Sequence, residues 1–247
     1  MDAVPSEIGK WCLILCYPSS THDCCLQRFT EMKLLGVAEI AEEGGAEVRG
    51  IRVVGKGTSS IVVKGRFADG REVAVKIRRS DSRRESLLWE AEALKAANKV
   101  GVGPRLYAYS RNFIVREYVE GVPIRVFAER NCGEPLRIVL LKLAQQLMML
   151  DSIGLAHNEL SRFEDHVLVS ERELLPVIID FESATFNPNR SNLTQFFSFL
   201  LKAGHEYSVI SRCAGIQLPR EALRGLLKRY KADRNLRGFL VELGLEL

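Results

Sequence analysis

Three groups of residues in this chain have the side-chain types that bind phosphate and metal ions. Asp180 follows an apolar segment, 175–179, and Lys76 closes an alternating Val-Ala-Val-Lys segment, 73–76. A glycine-rich segment, 54–62, comes shortly before that lysine. Glycine lets a backbone approach phosphate oxygens closely, lysine supplies a positive charge, and a carboxylate is a magnesium ligand. The order and separation of the three groups therefore indicate a site for a nucleotide and its metal ion.

The glycine-rich segment matches most of the phosphate-binding pattern G-x-G-x-x-G-x-V, with serine at the third glycine. The matching positions are Gly55, Gly57, Ser60 and Val62, and Lys56 lies between the two glycines. A plain hairpin turn is the structural alternative. A Walker A loop over 50–57 is excluded, because Gly57 stands where serine or threonine must bind magnesium and because a strand, not a helix, follows.

Lys76 alternates out of a buried strand, and a phosphate-binding lysine of this kind is oriented by a helix carboxylate. The helical region that follows offers three candidates, Glu85, Glu90 and Glu92. We select Glu90, because it lies four residues before Leu94, which would anchor the helix on the core. The alternative is that Glu90 is simply one of three surface carboxylates.

A loop with acid–base potential occurs at 157–160, which reads His-Asn-Glu-Leu. Its glutamate, Glu159, could accept a proton from an attacking group or orient that group. Glutamate is one methylene longer than aspartate, and about 1 Å of misplacement can lower a rate about 100-fold. The sequence therefore predicts either a loop rebuilt around Glu159 or a low activity.

Two criteria disagree about the second metal ligand. Motif spacing, five residues after the proton acceptor, selects Glu164, whereas strand register, the position just before the Val-Leu-Val run, selects His166. Magnesium prefers oxygen to imidazole, which favours Glu164 or Asp165 for direct ligation. We favour His166 for the position, because a buried strand fixes register more firmly than a loop does.

The composition is that of an ordinary soluble globular protein, with 47% hydrophobic and 27% charged residues among 247. The formal net charge of +4 is too mild to indicate nucleic-acid binding by itself. No apolar run approaches the roughly 18 residues that span a bilayer, so we expect no membrane partner and a cytoplasmic location. The six cysteines show no paired C-x-x-C spacing, and we expect buried reduced thiols rather than a zinc cluster.

The periodicity predicts an α+β fold with a β-rich first lobe and a helical second lobe. A small N-terminal α/β extension, 1–47, has a strand at 10–17, a helix ending at Gly36 and a strand at 37–43. The N-lobe, 48–120, has strands at 48–54, 60–67, 72–77, 106–110 and 112–118 around one helix, 86–100. The C-lobe, 121–247, has helices at 137–153, 193–203 and 219–243. Ligands favour a cleft between two such lobes.

Taken together, residues 48–200 resemble the protein kinase-like superfamily, which implies a bilobal protein kinase-like fold with a reduced C-lobe. The loop 157–161 and the segment 179–184 are similar to archaeal predicted serine/threonine kinases related to the RIO kinases, as is the opening segment 14–18. The resemblance implies binding of ATP and Mg²⁺ and transfer of the γ-phosphate to a serine or threonine of an unknown protein. An ATPase that switches an assembly and a nucleotide-binding pseudokinase scaffold are the alternatives, and a small-molecule kinase is a weaker one.

The resemblance also implies roles for individual residues. Lys76, Glu159 and Asp180 would be catalytic, with Asp180 and His166 on the metal ion. The nucleotide would contact Gly55, Lys56, Gly57, Ser60, Val62, Ala74, Lys76, Glu90, Glu117, Tyr118 and Val119. At 117–119 the contacts would be main-chain groups that meet the adenine edge.

A basic face is predicted near the C-terminal end. Arg220, Arg224, Lys228 and Lys231 recur at helical spacing, with Leu223, Leu226, Leu227 and Tyr230 mostly on the opposing side. An RNA or ribonucleoprotein partner is one interpretation of this face. A solvated helix surface is the other.

Overall fold

The computed structural model describes residues 6–160, 163–186, 191–202, 209–216, 220–233 and 235–242. The chain forms two compact units, residues 1–92 with 104–118 and residues 93–103 with 119–247. The division falls within a helix, α3 (Leu88–Lys99), after Glu92. The domain boundaries expected from the sequence stay a prediction. In the part of the chain that the structure describes, each helix is too short or too polar to cross a membrane.

An antiparallel sheet of six strands forms the centre of the first unit. The strands are β1 (Val37–Ala41), β4 (Gly55–Lys56), β5 (Ser60–Phe67), β6 (Glu72–Arg78), β7 (Leu106–Tyr109) and β8 (Phe113–Glu117). Their order is β1-β5-β6-β8-β7, and β4 pairs with β5. Val73, Val75 and Ile77 of β6 pack into the core of this unit, so Ala74 and Lys76 point to the opposite face of the sheet. The predictions at 60–67 and 72–77 are confirmed.

Two N-terminal helices, α1 (Ser6–Leu15) and α2 (His22–Leu34), pack on the sheet through the same core. The predicted helix ending near Gly36 is confirmed, but the predicted strand at 10–17 is wrong. A short apolar run suits a buried strand or a buried helix, and here Ile14 and Leu15 share a helix face with Trp11. The strand that follows, β1, pairs with β5 and so extends the sheet.

The strand predicted at 48–54 is also wrong, because the chain reverses within it. Strands β2 (Ala46–Val48) and β3 (Ile51–Val53) form a hairpin. Its two turn residues, Arg49 and Gly50, have φ values of 50° and 80°. Positive φ at both central positions is what a two-residue hairpin turn of type I′ requires. The second of the two is a glycine, but arginine gives no signal for this turn.

The expectation of reduced thiols is wrong for all six cysteines, which form three disulfides. Cys12–Cys25 and Cys16–Cys24 join α1 to α2, with Cα–Cα distances of 5.1 and 6.1 Å. Cys132 pairs with Cys213 in the second unit, and the backbone N–H of Gly133 donates to the Cys213 carbonyl. Sequence spacing could not reveal these pairs, because they depend on how helices lie beside each other. The thiols are not available for a zinc cluster.

The second unit is largely helical. Its helices are α4 (Ile124–Arg130), α5 (Glu134–Ser152), α6 (Phe163–His166), α7 (Asn192–Lys202), α8 (Val209–Ala214), α9 (Arg220–Asp233) and α10 (Leu236–Glu242), besides the end of α3. Its short strands are β9 (Val122–Pro123), β10 (Leu155–Ala156), β11 (Val167–Ser170), β12 (Leu175–Ile178) and β13 (Thr185–Phe186). The predicted helix at 137–153 is confirmed as α5, whose buried stripe runs from Leu136 to Leu150. The α+β class is therefore as predicted.

The helix predicted at 219–243 is wrong in one respect, because the structure has two helices there, α9 and α10. The Asn235 side chain accepts a hydrogen bond from the Gly238 N–H at 3.0 Å, which caps the start of α10. The Asn235 N–H in turn donates to Asp233 at 2.9 Å. On α9, Arg224, Lys228 and Lys231 are exposed, whereas Leu226, Leu227 and Tyr230 are buried. The side chains of Arg220 and Leu223 lie outside the described residues.

Candidate active site

A buried ion pair joins β6 to α3 in the first unit. Lys76 Nζ lies 2.7 Å from Glu90 Oε1, and the two side chains are only 6% and 9% exposed. Of the other two candidate carboxylates, Glu85 is exposed, and Glu92 accepts a hydrogen bond from the Tyr109 hydroxyl at 2.5 Å. A buried ammonium group needs such a partner, because desolvation of a single charge is expensive. The pair therefore fixes the Lys76 side chain in one position.

The glycine-rich hairpin lies directly beside Lys76. Strand β4 pairs with β5, and Val62 of β5 is the cross-strand partner of Lys76. The Gly57 N–H donates to the Ser60 carbonyl at 2.8 Å and closes the turn, and Ser60 is itself buried. The turn and the lysine thus occupy neighbouring strands.

Neither the backbone conformation nor the packing of this hairpin requires glycine at positions 55 and 57. Neither Gly55 nor Gly57 has a positive φ. Among the described residues, a Cβ on Gly55 would meet no heavy atom within 4 Å, and one on Gly57 would meet only the Ser60 carbonyl oxygen, at 3.5 Å. The packing around them would accept alanine. Close approach of a ligand to the backbone is a remaining reason for glycine, and this fits phosphate oxygens.

Tyr17, in the N-terminal segment, contacts the glycine-rich hairpin through cation–π interactions. Nothing in the sequence indicated this contact. Lys56 Nζ and the Arg79 guanidinium each lie 5.0 Å from the centre of the Tyr17 ring, and Arg49 lies 5.7 Å away. The hydrogen bond to Lys56, with smaller contributions from the positive charges, lowers the pKa of Tyr17. Arg79 also donates to the Gly57 carbonyl at 2.9 Å. Lys56 therefore contacts the N-terminal segment, and Arg79 contacts both Tyr17 and the turn at Gly57.

The other predicted nucleotide contacts in the first unit are Ala74, Glu117 and Tyr118. Ala74 is buried on the same face of β6 as Lys76. The Glu117 N–H donates to the Arg105 carbonyl, and its carboxylate accepts from the Arg105 N–H at 3.1 Å. Lys64 Nζ lies 4.8 Å from the Tyr118 ring centre. The next residue, Val119, is half-buried and begins the second stretch of the other unit.

In the second unit, Glu159 is held by two neighbours. Its Oε1 atom accepts a hydrogen bond from the Ser183 hydroxyl at 2.7 Å, and Oε2 lies 3.2 Å from His166 Nε2. Asn158, with φ of 70°, reverses the chain just before Glu159 and donates its side-chain amide to the Ser183 carbonyl at 2.8 Å. The loop is thus built around the glutamate. Neither Ser183 nor its contact with Glu159 was recognised from the sequence.

Asp180 and His166 are brought together by a hairpin. Strands β11 and β12 pair antiparallel, and the Ile179 N–H donates to the His166 carbonyl at 2.9 Å, one step beyond the ladder. His166 Nδ1 then lies 3.9 Å from Asp180 Oδ2. Asp180 has φ of 65°, which is uncommon for a residue with a side chain, although aspartate adopts it more readily than most. The predicted strand before Asp180 is confirmed as β12.

A metal ion would find three ligand atoms in this part of the second unit. Single side-chain atoms of Glu159, His166 and Asp180 all lie within 4.8 Å of one another. The two carboxylates suit Mg²⁺, which prefers oxygen, and the imidazole suits it less well. Glu164 lies 3.9 Å from Arg125 instead, and burial raises its pKa, whereas Asp165 is exposed. The structure thus brings His166, not Glu164 or Asp165, beside Asp180.

His157, at the start of the loop, is buried and uncharged. Burial lowers its pKa from 6.5 to about 4. The neutral ring donates from Nε2 to the Ile179 carbonyl at 3.0 Å, and packs edge-on against Phe181 at a centroid distance of 5.1 Å. This histidine therefore ties the loop to the segment around Asp180.

A buried polar network at the end of α5 and the start of α7 fixes the same loop. Asn192, the first residue of α7, accepts from the His157 N–H at 2.8 Å and donates to the Leu155 carbonyl at 2.7 Å. Asp151, at the end of α5, accepts from the Asn192 N–H at 2.5 Å and from the Ser191 hydroxyl at 2.7 Å. Burial raises the pKa of Asp151, although these hydrogen bonds act in the opposite direction. Sequence reasoning missed both residues.

The RIO domain family matches residues 61–197, which is more than half of the chain. The matched segment contains Lys76 and Glu90 as well as Glu159, His166 and Asp180, and the turn at 55–57 precedes it. A comparison with curated proteins gives no match. The resemblance to the RIO kinases is confirmed: the chain belongs to the RIO domain family.

Proposed function

We propose that this chain is an ATP-dependent phosphotransferase that acts as an atypical serine/threonine protein kinase. The observation that carries the proposal is the cluster of Glu159, His166 and Asp180, whose ligand atoms lie within 4.8 Å of one another. The buried Lys76–Glu90 pair supports it independently. Membership of the kinase-like RIO domain family gives the coarse activity, and the acceptor class is our inference.

On this proposal, Lys76 binds the α- and β-phosphates, as the corresponding lysine does in protein kinases. The backbone at Gly55 and Gly57 approaches the phosphates, and main-chain groups of 117–119 contact the adenine. Glu90 acts through Lys76, because the ion pair fixes the direction of the ammonium group.

The metal ligands on this proposal are Asp180 and a neighbour from its cluster. Mg²⁺, when bound, neutralises charge on the phosphate oxygens. Asp180 offers carboxylate oxygen, and His166 lies at the second position, where it also contacts Glu159. This contact allows His166 to fix the orientation of the Glu159 carboxylate even where oxygen atoms and water complete the metal shell.

Glu159 is the proposed proton acceptor. Its Oε1 atom already accepts a hydroxyl hydrogen bond at 2.7 Å, which is the distance a general base needs. We expect Glu159→Gln to lower the rate of phosphoryl transfer about 100- to 10,000-fold while nucleotide affinity changes little. Loss of affinity in parallel with rate would assign Glu159 to the metal site instead.

One experiment separates the proposed kinase from an ATPase switch and from a pseudokinase scaffold. The chain is incubated with γ-labelled ATP and Mg²⁺, and binding is followed with a fluorescent ATP analogue. Label on protein supports the kinase, free phosphate indicates an ATPase, and binding without either product indicates a scaffold. Asp180→Ala should weaken binding, whereas Glu171→Ala, an exposed acidic control in the β11–β12 turn, should not. No saturable binding at millimolar nucleotide would overturn the proposal.

A second candidate function, binding of RNA, has support from α9. Arg224, Lys228 and Lys231 are exposed at helical spacing, whereas Leu226 and Tyr230 are buried away from them on the helix. Each phosphate contact adds roughly one unit to the slope of log affinity against log salt concentration. A filter-binding series with RNA should therefore give a slope of several units that falls in Lys228→Ala. A flat response would leave an ordinary solvated surface.

A further inference from the structure

The Ser183 hydroxyl lies at hydrogen-bond distance from the proposed base. It donates to Glu159 Oε1 at 2.7 Å, and its own backbone carbonyl accepts from Asn158 at 2.8 Å. A general base must be within about 2.6–3.2 Å of the group whose proton it takes. The Ser183 side chain meets this condition without movement of the loop, and it is half-buried rather than sealed in the core.

The same carboxylate is part of the cluster with Asp180. Glu159 and Asp180 contribute ligand atoms that lie within 4.8 Å of each other, so the Ser183 hydroxyl is hydrogen-bonded to a member of the proposed metal cluster. Phosphoryl transfer requires a nucleophile, a residue that orients it or accepts its proton, and a phosphate-bound metal in the same site. Ser183 supplies the nucleophile from within the chain.

We propose that Ser183 is an autophosphorylation site: its hydroxyl accepts the γ-phosphoryl group of ATP, with Glu159 as base. This inference rests on the proposed function, since it needs ATP and Mg²⁺. The Ser183 Oγ–phosphorus bond forms, and the bond from the γ-phosphorus to the β–γ bridging oxygen breaks. ADP leaves with that electron pair, and the hydroxyl proton passes to Glu159 and then to water.

Phosphorylation of Ser183 would change the site in which it occurs. A phosphoserine carries nearly two negative charges, and here it would stand against the Glu159 carboxylate and near Asp180. Like charges in this position repel, so the phosphorylated segment leaves Glu159. Transfer to Ser183 therefore also removes the hydroxyl that is hydrogen-bonded to Glu159 in the unmodified chain.

A hydrogen bond that merely holds Glu159 in place is the competing explanation, and a mass measurement separates the two. The full chain is first treated with phosphatase, which is then removed, and its starting mass is recorded. It is then incubated with ATP and Mg²⁺ at several protein concentrations. We expect a gain of one phosphoryl group, mapped to Ser183 by peptide sequencing, with a first-order rate constant that is independent of protein concentration.

Three variants sharpen the result. Ser183→Ala should reduce incorporation to background, and Ser183→Thr should retain it, because threonine keeps the hydroxyl. The matched control is Thr185→Val, two residues along, whose hydroxyl accepts from Asn158 rather than contacting Glu159. This variant should incorporate phosphate as the unaltered chain does.

The other outcomes overturn the inference in distinguishable ways. Label at another residue, unaffected by Ser183→Ala, overturns it and leaves the proposed kinase standing. ADP and free phosphate without label overturn it and indicate an ATPase. Binding of ATP without ADP formation overturns both the inference and the proposed transfer. A rate constant for Ser183 that rises with protein concentration overturns transfer within one chain.

Discussion

Lys76 and Glu90 form an ion pair at 2.7 Å with both side chains more than nine-tenths buried. Such a pair contributes little net stability, because desolvation offsets most of the attraction, but removal of one partner leaves an uncompensated charge. Replacing both partners by apolar residues can therefore separate the function of this pair from its effect on stability.

Lys76→Met should destabilise the chain by about 3–5 kcal/mol, because Glu90 is left buried without its cation. The double variant Lys76→Met with Glu90→Leu should recover most of this loss and still fail to bind nucleotide. Urea unfolding and titration of a fluorescent ATP analogue measure the two properties. Nucleotide binding by the double variant would contradict the role proposed for Lys76.

His157 makes stability depend on pH through its lowered pKa. The folded state holds this ring neutral down to a pKa of about 4, against 6.5 ordinarily. The unfolded state therefore binds more protons between these values, so stability is complete above about pH 6.5 and falls as the pH drops toward 4. The loss amounts to about 3 kcal/mol from the difference between the two pKa values. Burial is the largest cause of the lowered pKa, and His166 acts in the same direction. The hydrogen bond to the Ile179 carbonyl and the charges of Asp180 and Glu159 act in the opposite direction.

The measurement is the free energy of unfolding in urea from pH 7 to pH 4 for the unaltered chain and for His157→Gln. The variant lacks the imidazole, so its curve should fall less steeply across this window. His22→Gln, at an exposed histidine, is the control and should follow the unaltered chain. Identical slopes for the unaltered chain and His157→Gln would show that folding does not lower the pKa of this ring.

How far the site could be predicted depends on which interactions fix each residue. Glu90 could be chosen from three carboxylates because helix periodicity alone places it on the face with Leu94, which is buried. Asp180 could be found because an apolar strand, β12, delivers it. Local periodicity was sufficient in both cases.

The remaining features depend on backbone conformations that residue types do not reveal. Asp180 and Asn158 both have positive φ, and these turns are what bring Ser183 to Glu159. Positive φ also explains the hairpin turn at Arg49, where we predicted one strand and the structure has two. The disulfides depend on contacts between helices, and no pattern within one helix contains that information.

The disulfides give a direct chemical test. The unfolded but unreduced chain should take up no thiol-alkylating reagent at its six cysteines, and all six should react after reduction. Alkylation before reduction would contradict the pairing.

Cys132 and Cys213 are 81 residues apart, so replacing both by serine should lower the free energy of unfolding by about 4 kcal/mol on the loop-closure argument. Cys213→Ser alone should have nearly the same effect, because one thiol cannot form the bond.

Asn192 determines whether the loop that carries Glu159 stays in place. Its side chain satisfies the His157 N–H and the Leu155 carbonyl, and both groups are buried. Asn192→Ala leaves the two backbone groups without a partner, and each buried group left in this way costs about 1–3 kcal/mol. We therefore expect a loss of about 2–4 kcal/mol in the free energy of unfolding, together with faster hydrogen exchange at His157.

The control is Asn131→Ala at the end of α4, where the side-chain amide makes one hydrogen bond, to the Phe127 carbonyl at 3.1 Å. Loss of this single, partly buried bond should cost about 1 kcal/mol and leave exchange in the loop unchanged. Urea unfolding and amide exchange followed by mass spectrometry measure both effects. Equal losses in the two variants, with no change in exchange over 155–160, would mean that Asn192 contributes only an ordinary hydrogen bond. A larger loss at Asn192, confined in exchange to this loop, would show that α7 holds the proposed base in position through Asn192.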